Sequence, residues 1–338
     1  MTFVRVFLGV AVALRFVATS AFDTPDVFPA STRAALAAKS GSLNPSQGYT
    51  TAGWSNRAAT VLTPVHLDPN VYTGDRPFYW NRIDVGCRMT VIELPADDST
   101  SGRPDLWVHS PVGLDGPMQQ ALNQLGNVKY VVSPNYEHLK FAAQWYQSFP
   151  QADMWGCPGL AQRMENIQWK GEIPDGFRPT AWKGGPGTQM EPDSGIWDTN
   201  IIQPLHIDIE KNPFTGKPFF NEVVYYHQPS KTLLCTDLFW NYPADVVPNS
   251  QYGADDTWEL APRVTGIPVG SRLWKFGMDQ IYRPFFNNFM VTDQSQYRDV
   301  VNHILDVWDV ETLIPAHGDI LRGRTLIRQA LREHFQLD

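Results

Sequence analysis

Three segments of the sequence place metal-binding side chains directly after short apolar runs. They are residues 133–138 (SPNYEH), Asp237 after residues 232–236 (TLLCT), and residues 317–319 (HGD) after residues 313–316 (LIPA). Apolar runs of this length are typical of buried strands, and open sheets place their ligand sites at the carboxyl ends of strands. Two imidazoles and two carboxylates brought together there would form a nitrogen and oxygen site suited to zinc or iron.

The spacing of these residues requires a sheet to bring them together. His138 and Asp237 are 99 positions apart, and Asp237 and His317 are 80 apart. Each residue alone also has an ordinary structural explanation, because His138 could cap a helix, Asp237 could cap a loop and His317 could be buried in a turn. The prediction of a metal centre therefore depends on the three strand ends converging.

Composition and motifs narrow the remaining classes of function. The chain has 338 residues, of which 43% are hydrophobic and 18% charged, as in folded globular proteins. Its 27 basic and 35 acidic residues give a net charge of −8, so no basic field exists to hold a nucleic acid. The three cysteines form no C-x-x-C pair, which argues against a disulfide framework and a cysteine-rich zinc site. The sequence also lacks a G-x-S-x-G elbow, a phosphate-binding loop, a G-x-G-x-x-G fingerprint and an H-E-x-x-H motif.

Apolar periodicity predicts alternating strands and helices in the first half of the chain. Apolar runs bounded by turn residues indicate strands, whereas apolar residues three and four positions apart indicate helices. The predicted strands are residues 89–94, 106–110, 128–132 and 152–157, and the predicted helices are residues 116–125 and 137–149. This order favours a mixed sheet covered by helices.

The second half continues the pattern around two irregular stretches. The predicted elements are a hairpin of residues 222–227 and 232–237, a helix from an N-cap at Asp293 through Trp308, a strand over residues 312–316 and a helix over residues 324–335. Residues 171–220 are interpreted as a long surface excursion or lid, and residues 239–289 as a second loop-rich insertion with a helix near residues 273–282. The tryptophans are expected to pack in the core and loops rather than form a binding box.

The first 64 residues have the character of a targeting leader. Residues 1–21 contain a nine-residue apolar run that is too short to span a bilayer, and no transmembrane helix is expected in the mature protein. Residues 22–64 are rich in Ala, Ser, Thr and Gly and are predicted to be mobile. The junction ATSAF (residues 18–22) resembles the bipartite presequence of algae with secondary plastids, which predicts a plastid location. A secretory signal is the alternative.

Residues 76–338 resemble an uncharacterised family of plants, algae and cyanobacteria, domain of unknown function 4336, and more distantly the metallo-beta-lactamase superfamily. The motifs that carry the resemblance are LWVHSP (residues 106–111), VVSPNYEH (131–138), CPGL (157–160), EVVYYHQPSKTLLCTDL (222–238) and IPAHGD (314–319). The resemblance implies an α/β fold, a single αββα four-layer sandwich over residues 65–338 with the two insertions.

The superfamily's H-x-H-x-D-H motif falls on residues 133–138, with departures. Ser133 and Asn135 stand in place of its first two histidines, and Glu137 stands in place of its aspartate. The last histidine is kept as His138. The resemblance further matches Asp237 to the metal-bridging aspartate and His317 to the terminal histidine.

The retained residues Glu137, His138, Asp237 and His317 match the second metal position of two-metal members, which implies one divalent metal, zinc or iron, or none. A lone metal could lower the pKa of a bound water to about 7 and polarise a carbonyl or phosphoryl oxygen.

Two hypotheses of function follow from this resemblance. The first is a metal-dependent hydrolase acting on a small-molecule ester, thioester or phosphoester, with Glu137 or Asp319 handling the proton and with Asn135 and Tyr136 supporting the substrate or the metal ligands. The second is a non-catalytic plastid protein that uses the sandwich for binding. His109, His206 and His227 are weaker candidates for ligands. The substrate and the oligomeric state are not determined by the sequence.

Overall fold

A computed structural model describes residues 30–43, 60–80, 83–95, 102–184, 187–191, 194–242 and 270–337. The strands of the first sheet, in their spatial order, are β1 (Thr63–Leu67), β2 (Asn70–Arg76), β5 (Cys87–Glu93), β6 (Asp105–His109), β7 (Asn127–Ser133), β8 (Asp153–Gly156) and β9 (Gly171–Glu172). Strands β3 (Tyr79–Trp80) and β4 (Ile83–Asp84) form a small separate pair. The second sheet consists of β10 (Ile202–His206), β11 (Val223–His227), β12 (Thr232–Cys235), β13 (Thr312–Pro315) and β14 (Leu321–Arg322).

The helices lie mainly between and after these strands. They are α1 (Ala30–Leu43), α2 (Gly116–Leu125), α3 (Ala142–Ser148), α4 (Leu160–Arg163), α5 (Gly270–Gly277), α6 (Arg283–Phe285), α7 (Gln294–Asn302) and α8 (Arg324–His334). Three π-helical turns, Met278–Tyr282, Phe286–Met290 and His303–Val307, extend α5, α6 and α7. No described helix combines the length and the apolar character needed to cross a bilayer.

Strand direction determines where the candidate ligands emerge. Strands β6, β7 and β8 run parallel in the first sheet, and β12 and β13 run parallel in the second. Cys235 at the end of β12 pairs with Pro315 at the end of β13. The loops that carry Asp237 and His317 therefore leave the second sheet side by side.

Both sheets are buried on their two faces, which defines four layers. Val131 packs with α2 and α3, whereas Val132 packs between the sheets. Likewise Leu233 packs with α7 and α8, whereas its neighbour Leu234 packs between the sheets. Because successive residues of a strand point to opposite faces, these three hydrophobic cores establish the predicted order of helix layer, sheet, sheet and helix layer.

Most of the predicted elements are present with small shifts in their ends. Helix α2 has the predicted bounds, and Asp293 caps α7 by accepting hydrogen bonds from the backbone N–H groups of Ser295 and Gln296. The π-helical turn carries that helix on to Trp308, as predicted. The helix predicted over residues 137–149 is shorter, because residues 137–141 form turns before α3. The sequence does not predict strands β1, β2 and β10 or the two-residue strands β3, β4, β9 and β14.

The interpretation of residues 171–220 as a surface excursion is wrong for much of that stretch. It contains β10, the edge strand of the second sheet, whose Ile202 and Leu205 are fully buried. Trp197 lies between the sheets, with its ring centroid 5.4 Å from that of Trp107 and 5.7 Å from that of Trp155. Long-range contacts of single aromatic residues leave no local period, so sequence patterns do not reveal this burial.

The leader also differs from its prediction in part. Residues 30–43 form α1 instead of a mobile tract, and Leu43 at its end is buried in the core beneath the first sheet. Residues 1–29 and 44–59 lie outside the described residues, so the two presequence segments remain predictions. In the second insertion, residues 243–269 also lie outside them, and the predicted helix is present as α5 and its π-helical turn.

Candidate metal centre

The three strand ends converge as predicted. His138 follows β7 of the first sheet, while Asp237 and His317 follow β12 and β13 of the second. The Nε2 atoms of the two histidines lie 3.3 Å apart. One oxygen of Asp237 lies 3.3 Å from Nε2 of His138, and the other lies 3.4 Å from Nε2 of His317. Among the described residues, these three form the one group of His, Cys, Asp or Glu side chains suited to hold an ion.

The spacing of these atoms matches a zinc coordination sphere. Ligand atoms that sit 2.0–2.1 Å from a tetrahedral zinc are about 3.3–3.4 Å from one another. The two Nε2 atoms are 3.3 Å apart, and each lies 3.3 or 3.4 Å from a different oxygen of Asp237, so that one ligand atom from each residue lies within 4.8 Å of the others. A divalent ion therefore fits this group, with three ligands supplied by the protein.

His317 is held with a lone pair available on Nε2. Its Nδ1 lies 2.9 Å from the carbonyl oxygen of Gly86 and 3.3 Å from that of Val85. A carbonyl can only accept a hydrogen bond, so Nδ1 carries the proton and the Nε2 of the neutral ring is free to bind a cation.

His138 is oriented through its other ring nitrogen. Nδ1 lies 2.8 Å from Oγ of Ser110, a buried serine directly after β6. Although burial alone would lower the pKa of His138, the Asp237 carboxylate and the Cys87 thiol raise it well above its ordinary value. When no ion is bound, the protonated imidazole of His138 thus supplies the positive charge beside Asp237. An ion would displace that proton.

The carboxylate of Asp237 is held by the buried side chain of Asn135. The Nδ2 of Asn135 donates to Oδ2 of Asp237 at 2.6 Å and to Oγ1 of Thr236 at 2.9 Å. The Oδ1 of Asn135 accepts the backbone N–H groups of Glu137 and His138. Asn135 thus connects the loop that carries His138 with the side chain of Asp237. Burial alone would raise the pKa of Asp237, but the two imidazoles hold it far below its ordinary value.

Glu222 holds the backbone of the Asp237 loop. Its carboxylate accepts the N–H groups of Thr236, Asp237 and Leu238 at 2.6–2.8 Å. Glu222 is 1% exposed, and burial together with the charge of Asp237 raises its pKa to about 7. This carboxyl fixes the loop as it leaves β12.

The remaining predicted site residues lie around the group rather than in it. Glu137, predicted as a ligand or base, is exposed and outside the three-residue group, and partial desolvation and the charge of Asp237 raise its pKa. Asp319, predicted to handle protons, is buried beside a small cavity that Asp75 and Arg88 also line. Tyr136, predicted to support the site, directs its hydroxyl to the carbonyl of Pro158.

The weaker histidine candidates are buried outside the group. His109 stacks against Trp107, His206 is bonded to Asn221 and to the N–H of Gly176, and His227 is bonded to Ser230.

Sequence reasoning missed several residues that build the site. Ser110 could have been found, because β6 and β7 are parallel and their ends share one edge of the sheet. Glu222 offered a weaker signal, an acidic residue at the start of an apolar strand. Gly86 gave none, since its contact with His317 connects residues far apart in the chain.

Comparison with known proteins identifies the family. The chain belongs to the family described as domain of unknown function (DUF4336), whose sequence model matches residues 69–255. None of the curated proteins matches the sequence.

Solved structures of metallo-beta-lactamases and of one oxidoreductase are similar to the chain. The DIM-1 metallo-beta-lactamase exposed to ceftazidime shares 9% identity at a TM-score of 0.46, covering 82% of this chain and 95% of its own. A metallo-beta-lactamase from Pontibacter korlensis shares 11% identity at a TM-score of 0.43, covering 82% and 98%. The rubredoxin oxygen:oxidoreductase of Desulfovibrio gigas shares 14% identity at a TM-score of 0.47, covering 81% and 61%. The four-layer fold itself is established by the three cores described above.

Proposed function

We propose that the protein binds one divalent metal ion, zinc or iron, through His138, Asp237 and His317, and catalyses hydrolysis at that centre. The observation that supports this is the 3.3 Å separation of the two imidazole Nε2 atoms, each of which also lies 3.3 or 3.4 Å from its own oxygen of Asp237. Three protein ligands with one further position open are typical of catalytic zinc sites.

Neighbouring residues hold the three ligand side chains in their orientations. Gly86 and Ser110 orient the two imidazoles, while Asn135 and Glu222 orient the aspartate. When bound, the ion would supply a Lewis acid able to polarise a carbonyl or phosphoryl oxygen. Partial burial and the charge of Asp237 raise the pKa of Glu137, which favours uptake of a proton by this carboxylate. Esters, thioesters and phosphoesters of small molecules are the substrate classes that this chemistry serves.

Metal content tests the first half of the proposal. The full chain, expressed with zinc or iron supplements, should contain about one ion per chain, and Asp237→Asn and His317→Ala should lose it. Asp306→Asn is the matched control, because Asp306 is exposed and pairs with Arg328 far from the centre. A wild-type protein with no stoichiometric metal under any supplement would refute the metal centre.

Turnover tests the second half. The metal-loaded chain should hydrolyse at least one of three chromogenic probes, a nitrophenyl ester, a thioester or a bis(nitrophenyl) phosphate. Asp237→Asn should abolish that activity, and Asp306→Asn should retain it. Activity that persists in Asp237→Asn would contradict catalysis at this centre.

A non-catalytic binding role in the plastid is the second candidate. It is favoured by Ser133 and Asn135, which replace two histidines of the superfamily motif. Asn135 is fully engaged in hydrogen bonds within the protein, so a second ion has no ligand there. Stoichiometric metal without turnover of any probe would support this candidate over the hydrolase.

A further inference from the structure

Two phenylalanines project into solvent beside the second sheet. Phe214 is 76% exposed and Phe289 is 64% exposed, the two highest values among the large hydrophobic residues that the structure describes. Side chains of this kind are usually buried, and exposed ones that lie together mark interaction sites. The positions of these two rings therefore call for a partner.

The loop between β10 and β11 brings the two phenylalanines to one corner of the molecule. The backbone N–H of Lys211 in this loop donates to the carbonyl of Met290 at 2.8 Å. Met290 ends the helical run that carries Phe289, and Phe214 lies three positions after Lys211. The two exposed rings thus belong to neighbouring segments, although they are 75 positions apart in the sequence.

A closed turn holds Phe214 at the tip of this loop. The N–H of Asn212 donates to the carbonyl of Lys217 at 2.8 Å, and the side-chain oxygen of Asn212 accepts the N–H of Phe214 at 2.9 Å. A Cβ atom added at Gly216 would meet nothing within 4 Å, so the turn protrudes into open space. An apolar group that is already fixed in position loses little conformational entropy when it binds.

Two lysines flank the same turn. Lys211 and Lys217 are exposed, and neither forms an ion pair with a described residue. Glu210, the acidic residue next to them in the sequence, is 2% exposed and accepts the backbone N–H of Asn221. The turn therefore presents positive charge on a chain whose net charge is −8.

We propose that the aromatic corner, formed by Lys211, Phe214, Lys217 and Phe289, docks on the surface of an anionic lipid bilayer. Two phenylalanine side chains bury at most about 300–500 Å². Each partner in a standard protein interface buries roughly 800 Å². A bilayer needs no matched surface of that size, because apolar rings enter the acyl boundary while lysines lie among anionic headgroups.

The aromatic corner lies at the same edge of the second sheet as the candidate metal centre. The loop that carries it ends at Glu222, whose carboxylate accepts the N–H of Asp237. The carbonyl of Phe220 in that loop accepts the N–H of Tyr136 at 2.9 Å, two positions before His138. Docking would therefore hold this edge towards the lipid. The inference goes beyond the proposed function and does not require a bound ion.

Vesicle flotation of the full chain tests the docking. The wild-type chain should float with vesicles of equal parts phosphatidylcholine and phosphatidylglycerol, and less with vesicles of phosphatidylcholine alone. Phe214→Ser and Phe289→Ser should each weaken binding by about tenfold, and Lys217→Ala by about fivefold. Phe214→Leu should keep most of the binding, because it retains an apolar side chain. Every variant carries the same leader, so differences between them report on the aromatic corner.

Phe276→Ser is the matched control. Phe276 is 43% exposed but lies in α5, thirteen positions before Phe289 in the same helical run. Equal flotation of wild type and Phe214→Ser, an equal loss in Phe276→Ser, or no binding of the wild type to anionic vesicles would overturn the proposal. Dimerisation of the wild type that is lost in Phe214→Ser would also overturn it and assign the corner to a protein partner. A chelator-treated chain should bind vesicles as strongly as a metal-loaded one, so failure of the metal centre would leave this inference intact.

Discussion

At the residue scale, the candidate site is defined by hydrogen bonds that leave a ligand atom free on each side chain. His317 and His138 each use Nδ1 for a partner in the protein, Gly86 and Ser110 respectively, and direct Nε2 to the same point. Such outer partners set the orientation and basicity of a metal-binding histidine. Their effect can be measured separately from that of the ligands.

Ser110→Ala should weaken zinc binding by about 10–100-fold, because His138 loses the acceptor for its Nδ1 proton when Nε2 binds the ion. The matched control is Ser133→Ala. Ser133 is equally buried, and its hydroxyl has no hydrogen-bond partner among the described residues. Competition with a chromogenic chelator gives both affinities, and equal values for the two variants would contradict the role of Ser110.

At the element scale, the two sheets are tied together beside the site by one buried arginine. Arg88 of β5 pairs with Asp75 of β2 at 2.7 Å. It also donates to the carbonyls of Pro315 and Gly318, each at 2.6 Å. The loop that presents His317 is therefore anchored to the opposite sheet.

Arg88→Met should destabilise the protein by about 3–5 kcal/mol, because it leaves Asp75 as an uncompensated buried charge. It should also weaken zinc binding, because the His317 loop loses two donors. Urea unfolding of the metal-free chain measures the first effect. The double variant with Asp75→Asn should recover part of the stability, and a loss below about 1 kcal/mol in Arg88→Met would argue against the anchor.

At the scale of the whole molecule, three hydrophobic cores enclose several titratable groups. Burial lowers the pKa of six histidines, to about 3 for His66, His109 and His334, to about 4 for His227 and His303, and also for His206. The folded state is therefore most stable at a pH where these histidines are neutral.

Stability should therefore fall as the pH drops from about 6.5 towards 4, because the unfolded chain takes up protons at its ordinary histidine pKa while the folded chain resists them. Glu210 and Glu222 act in the opposite sense. Their pKa values are raised to about 7, so their contribution is full below about 4.5 and is lost as the pH rises through 7. The six histidines outnumber the two glutamates, and a free energy of unfolding from urea titrations that stays level between pH 6.5 and 4 would contradict this expectation.

We propose that the leader, residues 1–64, directs the whole protein to a plastid. Residues 1–64 fused to a fluorescent protein should enter the plastid of an alga with a secondary plastid, and Phe22→Ala should divert the fusion. Microscopy provides the measurement, with Phe28→Ala as the control in the same segment. Secretion of the unaltered fusion would favour the alternative of an ordinary signal.

Local sequence determined half of the described strands, five of the described α-helices and the residues at three strand ends. This was possible because apolar periodicity and capping residues such as Asp293 act over a few positions. The tertiary structure decided which side chains meet. It placed Asp237, but not Glu137 or Asp319, with the two histidines, and it buried Trp197 between the sheets. The contacts of Ser110, Gly86 and Glu222 were likewise decided there. Packing between sheets depends on side-chain direction across long stretches of chain, which no local period encodes.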